Sequence, residues 1–411
     1  MINVLIQVFS LLNGLLVNFV IPALYGLEVY GAFIQAQILV FVFQKLTDIV
    51  NEPLISVADP PQVFPLAAAT AAAIWLLFSC LNRWLMLGSP LLLATMLASA
   101  CAVLGMYSLR WHRMLLGFLV VFPVVFLSLL GVREKAHWSL DIAGVLAWTN
   151  AVTTLPVLIP LVRRSTWRRI DRVVLVGLRA APRNVSVTLV FNLLTNILPY
   201  LLSRVLSHTD LGLFRVTTSV VQSASSLFPF NIKAMFVMFH RRNDADALYL
   251  HLLGFALLWF SGIGFGGLFF ASIFSRITPF LALVGALPIL YWAMLSERYL
   301  LADGRRRALT AVNLCIGISI FGIALWVHTL AQAMVLYAAS IAIYALCTVS
   351  IAVFGMSHWQ VFPVVVSMPF AVYLQSINMF AAMLWQVALM VFAWWGFGMK
   401  LENIRHIGEG L

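Results

Sequence analysis

From the first residues to beyond residue 350, apolar stretches long enough to cross a bilayer follow one another with only short polar breaks. A spanning helix needs about 20 such residues. Lipid offers no water to an exposed backbone, so continuous apolar runs of this length fold as helices. Breaking the chain at its polar punctuation predicts spans near 2–25, 30–57, 62–82, 88–109, 114–132, 139–162, 184–206, 211–238, 247–275, 277–301, 308–329 and 333–355. A last apolar block, 361–399, is too long for one helix and barely long enough for two, with Gln375, Ser376 and Asn378 available for its turn. The expected fold is an all-α polytopic membrane protein of 12–14 transmembrane helices. Only 9% of residues are charged and 63% are hydrophobic, which excludes a water-soluble globular chain. The N-terminus has no basic segment ahead of its apolar run and reads as a retained first helix.

Charge orients the spans. The net charge of +11 follows the rule that cytoplasmic loops are enriched in Lys and Arg, and it calls for no nucleic acid. With the N-terminus inside, the inner loops hold Arg110, Arg113, the run 163–172 with Arg179 and Arg183, Arg241 and Arg242, and Arg305 to Arg307. The outer loops hold only Arg83, Arg133, Lys135, Arg204 and Arg276. Cys80, Cys101, Cys315 and Cys347 stand alone in apolar runs and read as small packing residues.

The chain also resembles itself. Residues 3–33 and 184–214 both open on Asn-Val, continue as an apolar helix bearing Asn or Thr, and close on an acidic turn before YGAF or LGLF. Gly31 and Gly212 occupy matched places in the two copies. The basic loop 163–183 lies between them. This predicts a six-helix bundle over 1–162, a basic cytoplasmic linker over 163–183, and a second six-helix bundle over 184–355. An apolar hairpin and cytoplasmic tail over 356–411 would follow. An even number of spans per half makes the repeats parallel, related by a pseudo-twofold axis along the membrane normal.

Three segments carry a family resemblance: PALYGLEVYGAF (22–33), SHTDLGLF (207–214) and RVTTSVVQSASSLFPF (215–230). In these the chain resembles the polysaccharide-transporter branch of the multidrug/oligosaccharidyl-lipid/polysaccharide exporter superfamily, which includes O-antigen and exopolysaccharide flippases. Its short length and compressed last apolar block depart from that pattern. The resemblance implies a V-shaped pair of bundles in a bacterial inner membrane. These would alternate between inward- and outward-open states to turn over an undecaprenyl-linked oligosaccharide, without a cofactor. Membrane lipids, a polysaccharide polymerase and chain-length proteins are the partners it implies.

Polar residues within spans are costly and mark cavities or helix contacts. Span two carries Gln37, Gln44, Lys45, Asp48 and Glu52, read as one face, with Lys45 and Asp48 spaced to pair. Span eight carries Arg215, Gln222, Ser226 and Lys233, also read as one face. Spans one and seven add Asn13, Asn18, Asn192 and Asn196. A lumen lined by these cations and amides would suit an anionic phosphate or pyrophosphate cargo. The same residues have plainer uses: an internal ion pair, snorkelling from span ends, or hydrogen bonds between helices. Glu297 and Arg298 lie near the end of span ten, where interfacial anchoring explains them as well as function does.

Three other classes compete. A proton- or sodium-coupled drug exporter of the same superfamily needs buried carboxylates, for which Asp48 and Glu52 are candidates. A membrane glycosyltransferase or polymerase needs a carboxylate base or metal ligand in an outer loop, and only Glu28, Glu134, Asp141 and Asp210 are scattered there. The chain has no metal-ligand spacing, GxSxG, P-loop or dinucleotide glycine pattern, so an enzyme is not expected. A channel or structural assembly protein is the third.

Overall fold

The computed structural model describes residues 2–51, 54, 59–136, 141–165, 194, 197–225, 228, 235, 239, 244–273, 287–354 and 379–397. Among them every regular element is a helix. They are α1 (Ile2–Asn51), α2 (Pro60–Leu85), α3 (Pro90–Ser108), α4 (His112–Ala136), α5 (Ile142–Arg164) and α6 (Leu198–Leu202), followed by α7 (His208–Ser225), α8 (Ala245–Ile273), α9 (Leu287–Ala302), α10 (Arg306–Ala324), α11 (Leu330–Val353) and α12 (Met379–Gly396). Eight of these are long and apolar enough to cross a membrane. The chain is thus a multi-pass helical protein.

Helix ends leave backbone groups unpaired, and local sequence supplies partners. Ser89 accepts from Leu92 N–H ahead of α3, and Asp141 accepts from Gly144 N–H ahead of α5. Thr329 and Gln332 form a reciprocal capping box at α11. At the other end of α11, the Arg305 guanidinium donates to the carbonyls of Ile351 and Phe354. One of the arginines that orient the chain therefore also closes a helix.

α1 is two spans. Gly26, at φ 85 and ψ 163, breaks the helix in a region of backbone space that is essentially reserved for glycine. Tyr30 donates its hydroxyl to Asn18 Oδ1 at 2.6 Å, across 12 residues of sequence. A continuous helix would hold those residues about 18 Å apart, so the two arms fold back on each other. Each arm is about 36 Å long, enough for the hydrocarbon core.

The chain divides into two compact units, 1–215 and 216–411. In the first, α1 packs on α2, α3 and α4, while α5 packs on α3 and α4. In the second, α8 packs on α9 and α12, and α11 on α9 and α10. An aromatic cluster fills the second unit: Phe228 lies 4.0 Å from Tyr291 between ring centroids, Tyr249 stacks on Tyr299, and Trp292 Nε1 donates to the Leu253 carbonyl. The boundary falls within α7. Residues 197–215 therefore group with the first unit, although the repeat places them at the start of the second half. Trp84, Trp326, Phe354 and Trp395 are exposed at helix ends, where aromatic side chains meet a membrane interface.

Most expected spans coincide with helices. Span two starts at Leu27, directly after the break. Residues 361–378 and parts of spans seven, eight and ten lie outside the described residues. Of the four cysteines only Cys101 is buried, while Cys80 and Cys315 are exposed. Lone cysteines on apolar helices carry no signal for which side faces neighbours, so the expected packing role holds for Cys101 and not for those two.

Gly26→Ala should destabilise the chain by about 1–3 kcal/mol, the cost of forcing a side chain into that conformation. Gly117→Ala, at a helical position with open space around it, should not. Thermal unfolding of the two variants in detergent checks this.

Candidate functional site

The second arm of α1 starts where Gly26 frees the chain, so Leu27, Gly31 and Gln35 recur every four residues along one side. The start of α7 is fixed by Ser207, whose hydroxyl accepts from Asp210 N–H and donates to the Asp210 carboxylate. The two helices then cross at two glycines. A Cβ on Gly31 would overlap the backbone carbonyl of His208, and one on Gly212 would overlap the carbonyl of Leu27. Each glycine meets the residue four positions before the other (31 − 27 and 212 − 208). Gln35 clamps the crossing: its amide donates to the Ser203 carbonyl at 3.1 Å, and its oxygen lies 2.6 Å from His208 Nε2. Small residues allow such backbone approach in membranes. Arg215, half-buried in α7, is near enough to Tyr30 for its charge to act there.

Further along the arm, Lys45 and Asp48 form an ion pair at 3.8 Å with side chains 50% and 37% exposed. Their height can be read from the antiparallel packing on α2. Thr70 donates to Asn51 Oδ1, and the rings of Phe43 and Phe78 meet edge to face. Eight residues separate the contacts on each helix (51 − 43 and 78 − 70). In this register Asp48 lies opposite Ala73 and Lys45 opposite Leu76, at the middle of α2. The pair is therefore about 13 Å or more from either end of α2, farther than a lysine side chain snorkels.

The other expected residues divide. Gln37 is buried, and its Oε1 accepts from Ser89 N–H at 2.9 Å. It serves the α2–α3 turn, which stands at its height, and so leaves the expected polar face. Asn13 donates to the Leu119 carbonyl of α4 at 2.9 Å, while its Oδ1 is buried without a partner. Asn18 holds Tyr30. Gln44 is half-buried. The helix bearing Gln222 is described but its side chain lies outside the described residues, as do Glu52, Asn192, Asn196, Ser226 and Lys233.

Two buried polar groups stand apart from the expected lumen, one of them unread in the sequence. Thr149, Asn150, Thr153 and Thr154 are all buried on α5, and the first three bond to their own helix's carbonyls. In the second unit Glu297 is only 3% exposed and accepts from Tyr344 Oη at 3.1 Å, while Asn313 Nδ2 donates to the same hydroxyl. The expected interfacial role of Glu297 is corrected: the carboxylate lies among α9, α10 and α11. Ser296 and Arg298 flank it in sequence, so no local signal marked its burial. Among the described residues no group of three His, Cys, Asp or Glu side chains could hold a metal ion.

No family model, curated protein or solved structure matches this chain. Its function is read from its own residues.

Adding one methyl at the crossing should be expensive. Gly31→Ala and Gly212→Ala should each cost about 1–3 kcal/mol or more, as overpacking does, and should lower the unfolding temperature of the purified protein while Gly117→Ala leaves it unchanged.

Proposed function

We propose that the chain is a flippase that turns over an undecaprenyl-linked oligosaccharide across a bacterial inner membrane, with its N-terminus cytoplasmic. The observation that carries this reading is the Lys45–Asp48 pair, exposed at mid-height on a spanning helix. A charge at the centre of a membrane helix costs roughly 2.5–3.5 kcal/mol on insertion scales when it meets lipid. A water-filled path removes that cost, and a polar head group needs such a path. Arg215, one helical turn beyond the glycine crossing, adds a cation suited to a phosphate.

The reciprocal contacts of Gly31 and Gly212 support the rest of the architecture. When one residue meets the partner of another and the exchange is returned, the pattern is that of a twofold axis. Two six-helix bundles related by a pseudo-twofold along the membrane normal, as the sequence repeat and the family resemblance imply, would place matched glycines on that axis. Alternating access would then move the head group past the charged face of α1. A polysaccharide polymerase and chain-length proteins are the partners this function would bring, and no cofactor is required.

Glu297 favours a second reading, a proton- or sodium-coupled exporter of the same superfamily. A buried carboxylate beside a tyrosine hydroxyl and an amide has the oxygen chemistry that binds a small cation or carries a proton.

A strain lacking the protein should accumulate lipid-linked sugar in the inner leaflet, and an unchanged leaflet distribution would remove the flippase reading. Replacing both Lys45 and Asp48 by Leu separates a wet path from a lipid-facing pair. Export should fall at least roughly tenfold, the scale of one lost charged contact, with normal protein level. Unchanged export would mean the pair faces lipid. Arg215→Ala should lose export with normal insertion. Glu297→Gln should abolish any dependence of export on the ion gradient if the second reading holds, and should leave it intact if it does not.

A further inference from the structure

The first unit carries a groove that the charged face of α1 does not explain. It lies between α2 and α3 and has a volume of about 240 Å³. Its walls are small because Ala68, Ala71 and Ala72 recur on one side of α2 and Ala94 and Ala98 face them from α3. Phe64, Trp75, Leu97 and Cys101 complete the lining, with Leu158 of α5. Trp75 is held in place by donating its Nε1 to the Pro90 carbonyl at 3.0 Å. The groove is smaller than the roughly 300–1,000 Å³ that encloses a whole small molecule, so it accepts a length of chain. Its walls belong to three helices that are long and apolar enough to span the membrane, so its occupant is hydrocarbon.

One end of this groove is cationic. Gly105, near the end of α3, abuts Phe64 of α2 and Leu161 of α5, and Ser108 donates to the Pro60 carbonyl at 3.2 Å. These contacts bring the end of α3, the start of α2 and the end of α5 together. Arg110 and Arg113 follow α3, Arg163 and Arg164 end α5, and all four are exposed. Asp59, ahead of α2, is the acidic residue beside them. An apolar channel rising from a rim of four guanidinium groups matches an amphiphile with a hydrocarbon chain and a phosphorylated head.

We propose that the α2–α3 groove holds the chain of a phosphorylated polyisoprenoid lipid whose head group rests on Arg110, Arg113, Arg163 and Arg164. This rests on the flippase reading, which supplies the isoprenoid as the lipid to be gathered. The groove would dock the carrier before its head group enters the wet path, and it would keep the tail in lipid throughout.

The test uses the full-length protein, purified in detergent and loaded with equal amounts of undecaprenyl phosphate and phosphatidylglycerol, with retained lipid read by native mass spectrometry. Wild type should retain undecaprenyl phosphate in preference. Ala98→Leu and Ala72→Leu fill the groove from opposite walls and should each reduce retention roughly tenfold, about what excluding two methylenes from an apolar site costs. Ala72 is exposed, so its variant keeps the test valid if the deeper one folds poorly. Arg110→Gln with Arg113→Gln should lower retention of undecaprenyl phosphate but not of undecaprenol. Equal retention by the Leu variants and wild type would overturn the groove. Equal retention of the two lipids by wild type would overturn the isoprenoid as its occupant. Leaflet accumulation in the deletion strain reports on the flippase reading separately, so normal export with an inert groove would sink this proposal alone.

Discussion

In hydrocarbon no backbone N–H or C=O can turn to water, and the rest of this structure follows from that. Helix interiors meet the constraint by themselves, so the difficulty concentrates where helices stop. Ser89, Asp141 and the Thr329–Gln332 pair satisfy starting N–H groups from beside the helix. Gln37 reaches across from another helix to do so, and Arg305 closes the end of α11. Several polar residues of the spans are consumed by this need before any is left for a ligand.

Lys45 and Asp48 matter because they pair with each other and stay partly exposed. Gln37 and Asp48 are 11 residues apart, within about 20° of the same side of a helix, yet one is buried and the other exposed. Angle around a helix does not fix burial; what stands beside it at each height does. The α2–α3 turn stands beside Gln37. The charged pair keeps side chains 50% and 37% exposed, at a height where bare lipid is least tolerant of charge. The alanine groove and its arginine rim answer a different demand, since a lipid cargo has a tail that must stay dry while its head travels.

The glycines at 31 and 212 were visible in sequence as matched positions in a repeat. Their contact was not. A repeat says that two segments share a conformation, and nothing in it requires the copies to touch. The missing side chain becomes meaningful only when a carbonyl of the other helix occupies the space where Cβ would be. Glu297 shows the converse: a carboxylate near a helix end suited an interfacial anchor as well as a site, and the tyrosine that donates to it, itself held by Asn313, comes from a helix distant in sequence.

The sequence alone determined that the chain is built of apolar helices long enough to cross a membrane, where most of the described ones begin and end, and that α1 breaks between residues 25 and 30. These depend on local quantities: the apolar length needed to cross a uniform hydrocarbon layer, and the conformational freedom of a single glycine. The tertiary structure alone decided which faces meet, which polar residues are spent on helix ends, and where small side chains leave a groove. Lipid is as apolar as leucine, so burial against protein and exposure to lipid look alike in a hydropathy pattern. Lateral packing in a bilayer is chosen by shape and hydrogen bonding, and those exist only once the helices stand side by side.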